Sequence, residues 1–304
     1  MKAFGALCGP PPDIVNNSLP VPFSADENPP SVTVLARRNQ LRMSNLLCFV
    51  ICMVVNATSN SFSKATQKEI SQQWGVKIMP AGWAFSIWGI IYLLIATFVA
   101  YQTIPPTKIK NRNDSLIYDE IGWLFSANML SNAVWLGIFG QNSATAFGFS
   151  LVDIIILLFT GVVIMRKGLR SPHSRPFEFI VINFGFTLYM GWVSAATILN
   201  VAFFLKASGV EGDFEVDVAC VILVVALLVY FFVAVMERNP AFGIVFLWPL
   251  LAIKAEQAEF PAIVTTCNIL ISANSILMGG LMAKYWHEGA NTKQIDHPHI
   301  KTNF

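Results

Sequence analysis

Long apolar stretches separated by short polar connections dominate this sequence. Eight of them are candidates for membrane-spanning helices, at residues 45–62, 82–101, 121–140, 144–165, 177–205, 217–236, 241–253 and 263–285. A helix needs about 20 mainly apolar residues to cross the hydrocarbon core of a bilayer. The pattern therefore predicts an all-α fold, a polytopic transmembrane bundle of about eight helices. The seventh segment is short and contains Pro249, which predicts a kink.

The two ends of the chain differ from this pattern. Residues 1–43 contain seven prolines and show no helical period, so the sequence predicts a disordered tail there. Residues 286–304 are polar and follow the last apolar run, which predicts a second tail outside the membrane. The transmembrane part of the protein is thus expected between these two segments.

Composition and charge support the membrane assignment. Hydrophobic residues make up 55% of the chain and charged residues only 12%, whereas soluble domains are about 25% charged. The net charge of +2 is too small to suggest binding to nucleic acid. If the eight segments alternate in direction, 15 of the 20 lysines and arginines fall on the side that holds both termini. Because positive residues concentrate on the cytoplasmic side, both termini are predicted to be cytosolic.

Aromatic and polar side chains recur at helical spacing within three of the predicted helices. They are Phe85, Trp88 and Tyr92 in the second helix, Asn132 and Trp135 in the third, and Tyr189, Trp192, Ala196 and Asn200 in the fifth. An aromatic cavity with few polar groups suits a flat apolar ligand. The same spacing is equally met by aromatic residues that pack as core, so both interpretations stay open.

Small and polar residues also form stripes in the first and the eighth helices. The members are Asn45, Cys48, Cys52, Asn56 and Ser59, and Asn268, Ser272, Ser275 and Gly279. Polar groups in hydrocarbon must find partners, so both stripes are expected to face the interior of the bundle. The simplest interpretation is close packing between helices.

Asp153 is the one acidic residue near the middle of a predicted span. A carboxylate at that depth is costly and suggests a function, such as coupling an ion to transport. A buried, hydrogen-bonded acid that only fixes packing is the alternative interpretation.

Motifs of known chemistry are missing from the sequence. It contains no nucleophile elbow, no zinc-protease motif and no phosphate-binding loop. The five cysteines form no Cys-x-x-Cys pair, and four of them lie in or beside apolar helices, so no metal site is expected. The sequence therefore predicts a protein that is not an enzyme and has no catalytic residues.

Three runs of sequence resemble the translocator protein family, also called tryptophan-rich sensory proteins or peripheral benzodiazepine receptors. They are MPAGWAFSIWGIIYLLIAT at 79–97, LSNAVWLGIFG at 130–140 and LYMGWVSAATILN at 188–200. Each motif alone is weak, but the three occur in the family's order and on compatible helices. The resemblance covers about 45–205, so the chain looks like a long, multi-helix relative.

The resemblance implies a five-helix bundle over residues 44–205, with three additional helices over 206–285. It also implies a pocket for a tetrapyrrole-like ligand, lined or closed by Trp83, Trp88, Trp135 and Trp192. The expected partners are membrane lipid, a small apolar ligand and a second copy of the chain in a homodimer. The family's sterol motif needs a tyrosine before a basic residue, and VAFFLK after Asn200 lacks it.

Two functions follow from these observations. The first is a receptor or sensor that binds a flat apolar ligand in an aromatic pocket inside the membrane. The second is a transporter of a small metabolite or ion that uses Asp153 and the asparagines inside the bundle.

Overall fold

A computed structural model describes residues 31–65, 67–104, 112–171, 176–209 and 215–295. Within these ranges the protein is helical and contains no β-strand, which confirms the predicted all-α class. The helices form because an apolar segment in lipid must satisfy every backbone polar group internally.

Eleven α-helices are formed by the described residues. They are α1 (Val32–Phe62), α2 (Gln67–Trp74), α3 (Ile87–Thr103), α4 (Trp123–Phe139), α5 (Ala144–Arg170), α6 (Pro176–Glu178), α7 (Gly185–Ala207), α8 (Glu215–Met236), α9 (Pro240–Val245), α10 (Leu247–Glu256) and α11 (Pro261–Ile295). A 3₁₀ turn, Gly82–Ser86, leads into α3. Two π-helical turns, Ser115–Ile121 and Phe179–Phe184, precede α4 and α7.

Helix α1 begins earlier than the sequence indicated. Ser31 caps it by accepting a hydrogen bond from the backbone N–H of Val34 at 3.4 Å, and the helix runs unbroken to Phe62. The predicted disordered tail is therefore wrong over residues 32–43, while its remainder, 1–30, lies outside the described residues. Helix α11 likewise continues past residue 285, to Ile295. Both extensions contain charged residues and reach beyond the apolar runs on which the prediction rested.

Six of the described helical segments are long and apolar enough to cross a membrane, and a seventh is bent. In the bent one, Ser115–Ile121 meets α4 at an angle of 65°. The predicted seventh span, 241–253, is not one continuous helix, because it is divided into α9 and α10, and neither is long enough to cross a membrane alone. Pro249 lies in the first turn of α10, next to the expected kink.

The contacts of α9 and α10 show that they nevertheless carry the chain from one end of the bundle to the other. Just before α9, Asn239 donates to the hydroxyl of Thr187 near the start of α7, at 2.8 Å. Just after α10, Gln257 donates to the carbonyl of Met79 at 3.3 Å, ahead of α3. Helices α3 and α7 run in opposite directions, since Trp88 contacts Trp192 while Phe98 contacts Phe186. Their N-terminal ends, marked by Met79 and Thr187, therefore lie at opposite ends of the bundle. The broken segment thus completes the predicted number of passes.

Helices α8 and α11 pack side by side in the same direction. Near their C-terminal ends, Tyr285 donates to the carbonyl of Val235 at 3.4 Å. Near their N-terminal ends, Cys267 lies within electrostatic range of Cys220. Two parallel helices in one chain require a return between them, which α9 and α10 provide.

One apolar core joins all these helices. It runs from Leu41 and Cys52 of α1 to Leu223 of α8 and Ile263 of α11. The expected inward stripe of α1 is confirmed at Asn45, Cys48 and Cys52, which are buried.

The expected inward stripe of α11 is wrong. Asn268, Ser272, Ser275 and Gly279 are exposed, and Cys267, Asn274 and Met278 are buried instead. Two faces of α11 carry small or polar residues, so spacing alone did not decide between them. The buried face fits because Asn274 donates to the carbonyl of Gly243 in α9, at 3.0 Å.

Candidate functional site

A cavity lies between the core helices and α8–α10. Its walls come from α2, the segment before α3, α3, α4, α7, α8, the turn between α9 and α10, and α10. The lining residues are Ile70, Ile78, Met79, Pro80, Phe85, Trp88, Trp135, Phe139, Trp192, Ala195, Ala196, Ile198, Leu199, Asn200, Phe203, Leu223, Ala226, Phe246, Pro249 and Ile253. Nearly all of these side chains are apolar, so the cavity suits an apolar guest.

Six of the ten residues proposed from the sequence line this cavity. They are Phe85, Trp88, Trp135, Trp192, Ala196 and Asn200. Three separate helical segments contribute them, as the helical spacing of the aromatic residues predicted. The structure therefore brings the three aromatic motifs together around one space.

The aromatic side chains contact one another edge to face. The ring centres of Phe85 and Trp192 are 5.8 Å apart at an interplanar angle of 89°, and those of Trp88 and Trp192 are 6.5 Å apart at 90°. Trp88 also stacks on Tyr92 at 5.2 Å. Such geometries are the favourable ones for aromatic pairs, so the cluster is held in place without a ligand.

The polar side chains of the lining differ in how well they are satisfied. Asn200 accepts from the indole N–H of Trp135 at 2.9 Å and from Ser150 at 3.0 Å, and it donates to the carbonyl of Phe147 at 3.0 Å. Trp192 is only 3% exposed, and its indole N–H has no partner among the described residues. A buried donor without an acceptor is costly, so the indole N–H of Trp192 is the least satisfied polar group of the lining.

Tyr92, Asn132 and Tyr189 do not line the cavity but form a polar cluster beside it. The side-chain oxygen of Asn132 accepts from the hydroxyl of Tyr92 at 3.1 Å and from the thiol of Cys52 at 3.2 Å. The amide nitrogen of Asn132 donates to the hydroxyl of Tyr189 at 2.9 Å. Tyr92 also donates to Asn56 of α1 at 2.9 Å. The cluster ties four helices together and supports Trp88, which stacks on Tyr92.

Trp83 lies outside the cavity. It is 47% exposed, and its ring packs edge to face on Trp248 of α10 with centres 5.0 Å apart. The 3₁₀ turn that precedes α3 directs Trp83 outward, whereas Phe85 in the same turn faces the cavity.

Helix α10 holds the cavity wall that precedes α3. The backbone N–H of Ala81 donates to the carbonyl of Ala252 at 3.0 Å. The indole of Trp248 donates to the carbonyl of Ala84 at 2.8 Å. Together with the contact between Gln257 and Met79, these bonds fix the segment that carries Pro80 and Phe85. The added helices thus position the aromatic motif as well as enclosing the cavity.

Asp153 is not among the residues that line the cavity. It lies on α5, where one carboxylate oxygen accepts from the hydroxyl of Ser131 at 3.1 Å. The other carboxylate oxygen is buried and has no hydrogen-bond partner among the described residues. The acid therefore packs at the interface of α4 and α5, with one of its two oxygens hydrogen-bonded.

Sequence reasoning missed the wall contributed by α8–α10. Leu223, Ala226, Phe246, Pro249 and Ile253 belong to it. These are ordinary apolar residues of a membrane helix, and Pro249 gave the one available signal by indicating a break. In the described ranges, no group of three or more histidine, cysteine or acidic residues is placed to hold a metal ion.

An integral membrane bundle with an aromatic cavity between its helices is the class of protein that this fold and site define. Within that class, the model of the TSPO-like protein family matches residues 42–280, which is more than half of the chain. The chain therefore belongs to the TSPO-like family, as its resemblance to translocator proteins indicated. The match continues through α8–α10 into α11, beyond residue 205, where the resemblance identified from the sequence ends. Searches of curated proteins and of solved structures gave no match.

Proposed function

We propose that this TSPO-like protein is a membrane receptor or sensor that binds a flat apolar ligand, tetrapyrrole-like in shape, in the aromatic cavity. The observation that carries the proposal is that Phe85, Trp88, Trp135 and Trp192 line one apolar space. Aromatic rings offer flat faces on which a planar conjugated ligand stacks favourably. The proposed activity is therefore recognition of the ligand.

Trp192 gives the proposed ligand one polar requirement. Its buried indole N–H has no acceptor among the described residues, while the N–H of Trp135 is already bonded to Asn200. A ligand with a carbonyl, carboxylate or unprotonated ring nitrogen near Trp192 would satisfy that donor. We therefore propose that the ligand is planar and mainly apolar but carries one hydrogen-bond acceptor.

Titrating the detergent-purified protein with protoporphyrin tests this proposal through quenching of tryptophan fluorescence. We expect saturable quenching at micromolar or lower ligand. Trp192→Ala removes a ring that lines the cavity, so it should weaken binding at least tenfold, which is about 1.4 kcal/mol. Trp192→Phe keeps an aromatic ring and removes only the N–H, so it should show an intermediate affinity.

Trp286→Phe is the matched control, since Trp286 is 45% exposed on α11 and is not among the cavity-lining residues. It lowers total fluorescence as the other variants do, but it should leave the affinity unchanged. Quenching that does not saturate, or equal affinities for wild type and Trp192→Ala, would refute the proposed cavity.

The orientation of the protein is also a proposal. The alternation of helices assigns both termini to one side of the membrane. That side holds the N-terminal part of α1, the turn before α4 and the C-terminal part of α11. Arg38, Arg42, Arg112 and Arg166 lie at that end. Because positive residues favour the cytoplasmic side, we propose that this end faces the cytosol.

The unpaired oxygen of Asp153 supports transport of a small metabolite or ion as the second candidate function. A proton-coupled transporter needs an acid that changes charge inside the membrane. Reconstituted vesicles with an internal pH dye would report proton flux under a diffusion potential. A transporter of this kind should lose its flux in Asp153→Asn and retain it in Ser131→Ala. Equal fluxes in wild type and Asp153→Asn would remove Asp153 from any coupling role.

A further inference from the structure

Three arginines surround the ring of Tyr118 at the end of the bundle where α1 enters. The guanidinium carbons of Arg38, Arg42 and Arg112 lie 5.7, 5.4 and 5.8 Å from the centre of this ring. Cations at such distances from an aromatic face are attracted to it. Tyr118 is fully buried, so the ring gives the arginines a fixed platform.

Two of these arginines are neutralised by carboxylates. Arg38 pairs with Asp114 at 3.5 Å and with Asp119 at 3.0 Å. Arg112 pairs with Asp114 at 2.5 Å. Asp114 is thus shared by Arg38 and Arg112, and Asp119 also pairs with Arg38. The positive charges of both arginines are therefore compensated.

Arg42 is held in place but not neutralised. Its Nε donates to the hydroxyl of Tyr118 at 2.8 Å, and one terminal nitrogen donates to Asn39 at 3.2 Å. Across the part of the chain that the structure describes, no carboxylate lies within ion-pairing distance of Arg42. The other terminal nitrogen of Arg42 makes no hydrogen bond to the described residues. The guanidinium is therefore fixed in position and keeps one donor and its positive charge for an anion.

The surface beside Arg42 changes from polar to apolar along α1. Asn39, Met43, Leu47, Val50 and Val54 follow one another at helical spacing and are all exposed, with 65% of Met43 and 60% of Leu47 accessible. Arg42 lies directly before the apolar run that starts near residue 45. This order matches that of a phospholipid, with a charged head at the membrane surface and a chain along the helix.

We propose that Arg42 and Asn39 bind the phosphate of an anionic phospholipid, whose acyl chain lies along Met43, Leu47 and Val50. Guanidinium donors suit phosphate oxygens, and the amide of Asn39 supplies a second donor at the same level. Anionic lipids concentrate in the cytoplasmic leaflet, where basic pockets between helices recognise their head groups. This site is on the outer face of α1 and is independent of the aromatic cavity.

Thermal unfolding of the full-length protein in detergent, with added phosphatidylglycerol or phosphatidylcholine, tests this site. We expect phosphatidylglycerol to raise the unfolding temperature of the wild-type protein more than phosphatidylcholine does. Arg42→Gln should lose at least half of that difference. The matched control is Arg37→Gln, a more exposed arginine with a side chain 57% accessible, which should retain the full difference.

Two further arms make the test decisive. Asn39→Leu changes an exposed position, so it should fold and should show a reduced effect of phosphatidylglycerol. Inorganic phosphate, which has no acyl chain, should produce no comparable shift. A full phosphatidylglycerol effect in both Arg42→Gln and Asn39→Leu would overturn the proposal, and so would an equal shift from inorganic phosphate.

Discussion

Replacing Ala226 by phenylalanine is expected to weaken protoporphyrin binding by at least tenfold while the protein still inserts and purifies. Ala226 lies on α8, is 1% exposed and lines the cavity, so a larger side chain there occupies space that the ligand needs. Tenfold corresponds to about 1.4 kcal/mol of binding free energy. The measurement is the same fluorescence titration, made on the monodisperse fraction of each variant.

Val221→Phe is the matched control for this experiment. It introduces the same side chain on the same helix, at a position that is 62% exposed toward lipid. Its affinity for protoporphyrin should equal that of the wild-type protein. If Ala226→Phe binds as tightly as Val221→Phe, then α8 takes no part in a ligand site, and the cavity wall formed by the added helices has only a packing role.

Gly191→Ala is expected to destabilise the protein by about 1–3 kcal/mol, which is the usual cost of overpacking a core. A methyl group on Gly191 would approach the Cβ and one Cγ of Val245 to 2.8 Å, so α9 and α7 would have to move apart. The same glycine offers its carbonyl to the hydroxyl of Tyr230, which ties α8 to this contact. Denaturant-induced unfolding in detergent micelles measures the change.

The double variant Gly191→Ala, Val245→Ala tests whether that contact is the cause. Removing the two methyl groups of Val245 leaves its Cβ in place but removes the contacts at 2.8 and 3.1 Å. Helices α7 and α9 then need to move apart less, so the double variant should be less destabilised than the two single changes added together. Residues in contact typically couple by about 0.5–3 kcal/mol. Gly279→Ala is the control, since nothing lies within 4 Å of a methyl group there and alanine favours a helix. Additive effects of the two changes would contradict the proposed role of Gly191.

The aromatic positions show how far the sequence reached. Trp88, Trp135 and Trp192 recur at helical spacing with polar or aromatic neighbours, and the fold brings all three to one cavity. Trp83 belongs to the same motif, yet a 3₁₀ turn directs it outward onto Trp248. Because spacing arguments assume a regular helix, they fail where the backbone changes its winding.

The asparagines show a second limit. The sequence placed Asn132 and Asn200 inside the bundle, and both are buried and bonded. It assigned both to a ligand, but only Asn200 lines the cavity, and all of its polar atoms are already used. Which partner satisfies a buried amide depends on neighbouring helices that are distant in the sequence.

Hydrophobic length and charge by themselves determined that this chain is an α-helical membrane protein, because a lipid-embedded backbone allows few alternatives. The three aromatic motifs determined its family. Tertiary structure alone decided which face of α11 is buried, how the segment around Pro249 crosses the bundle, and that α8–α10 wall the cavity. In a helix that is apolar on every side, hydrophobicity does not distinguish lipid from protein, so only packing against neighbouring helices fixes its orientation.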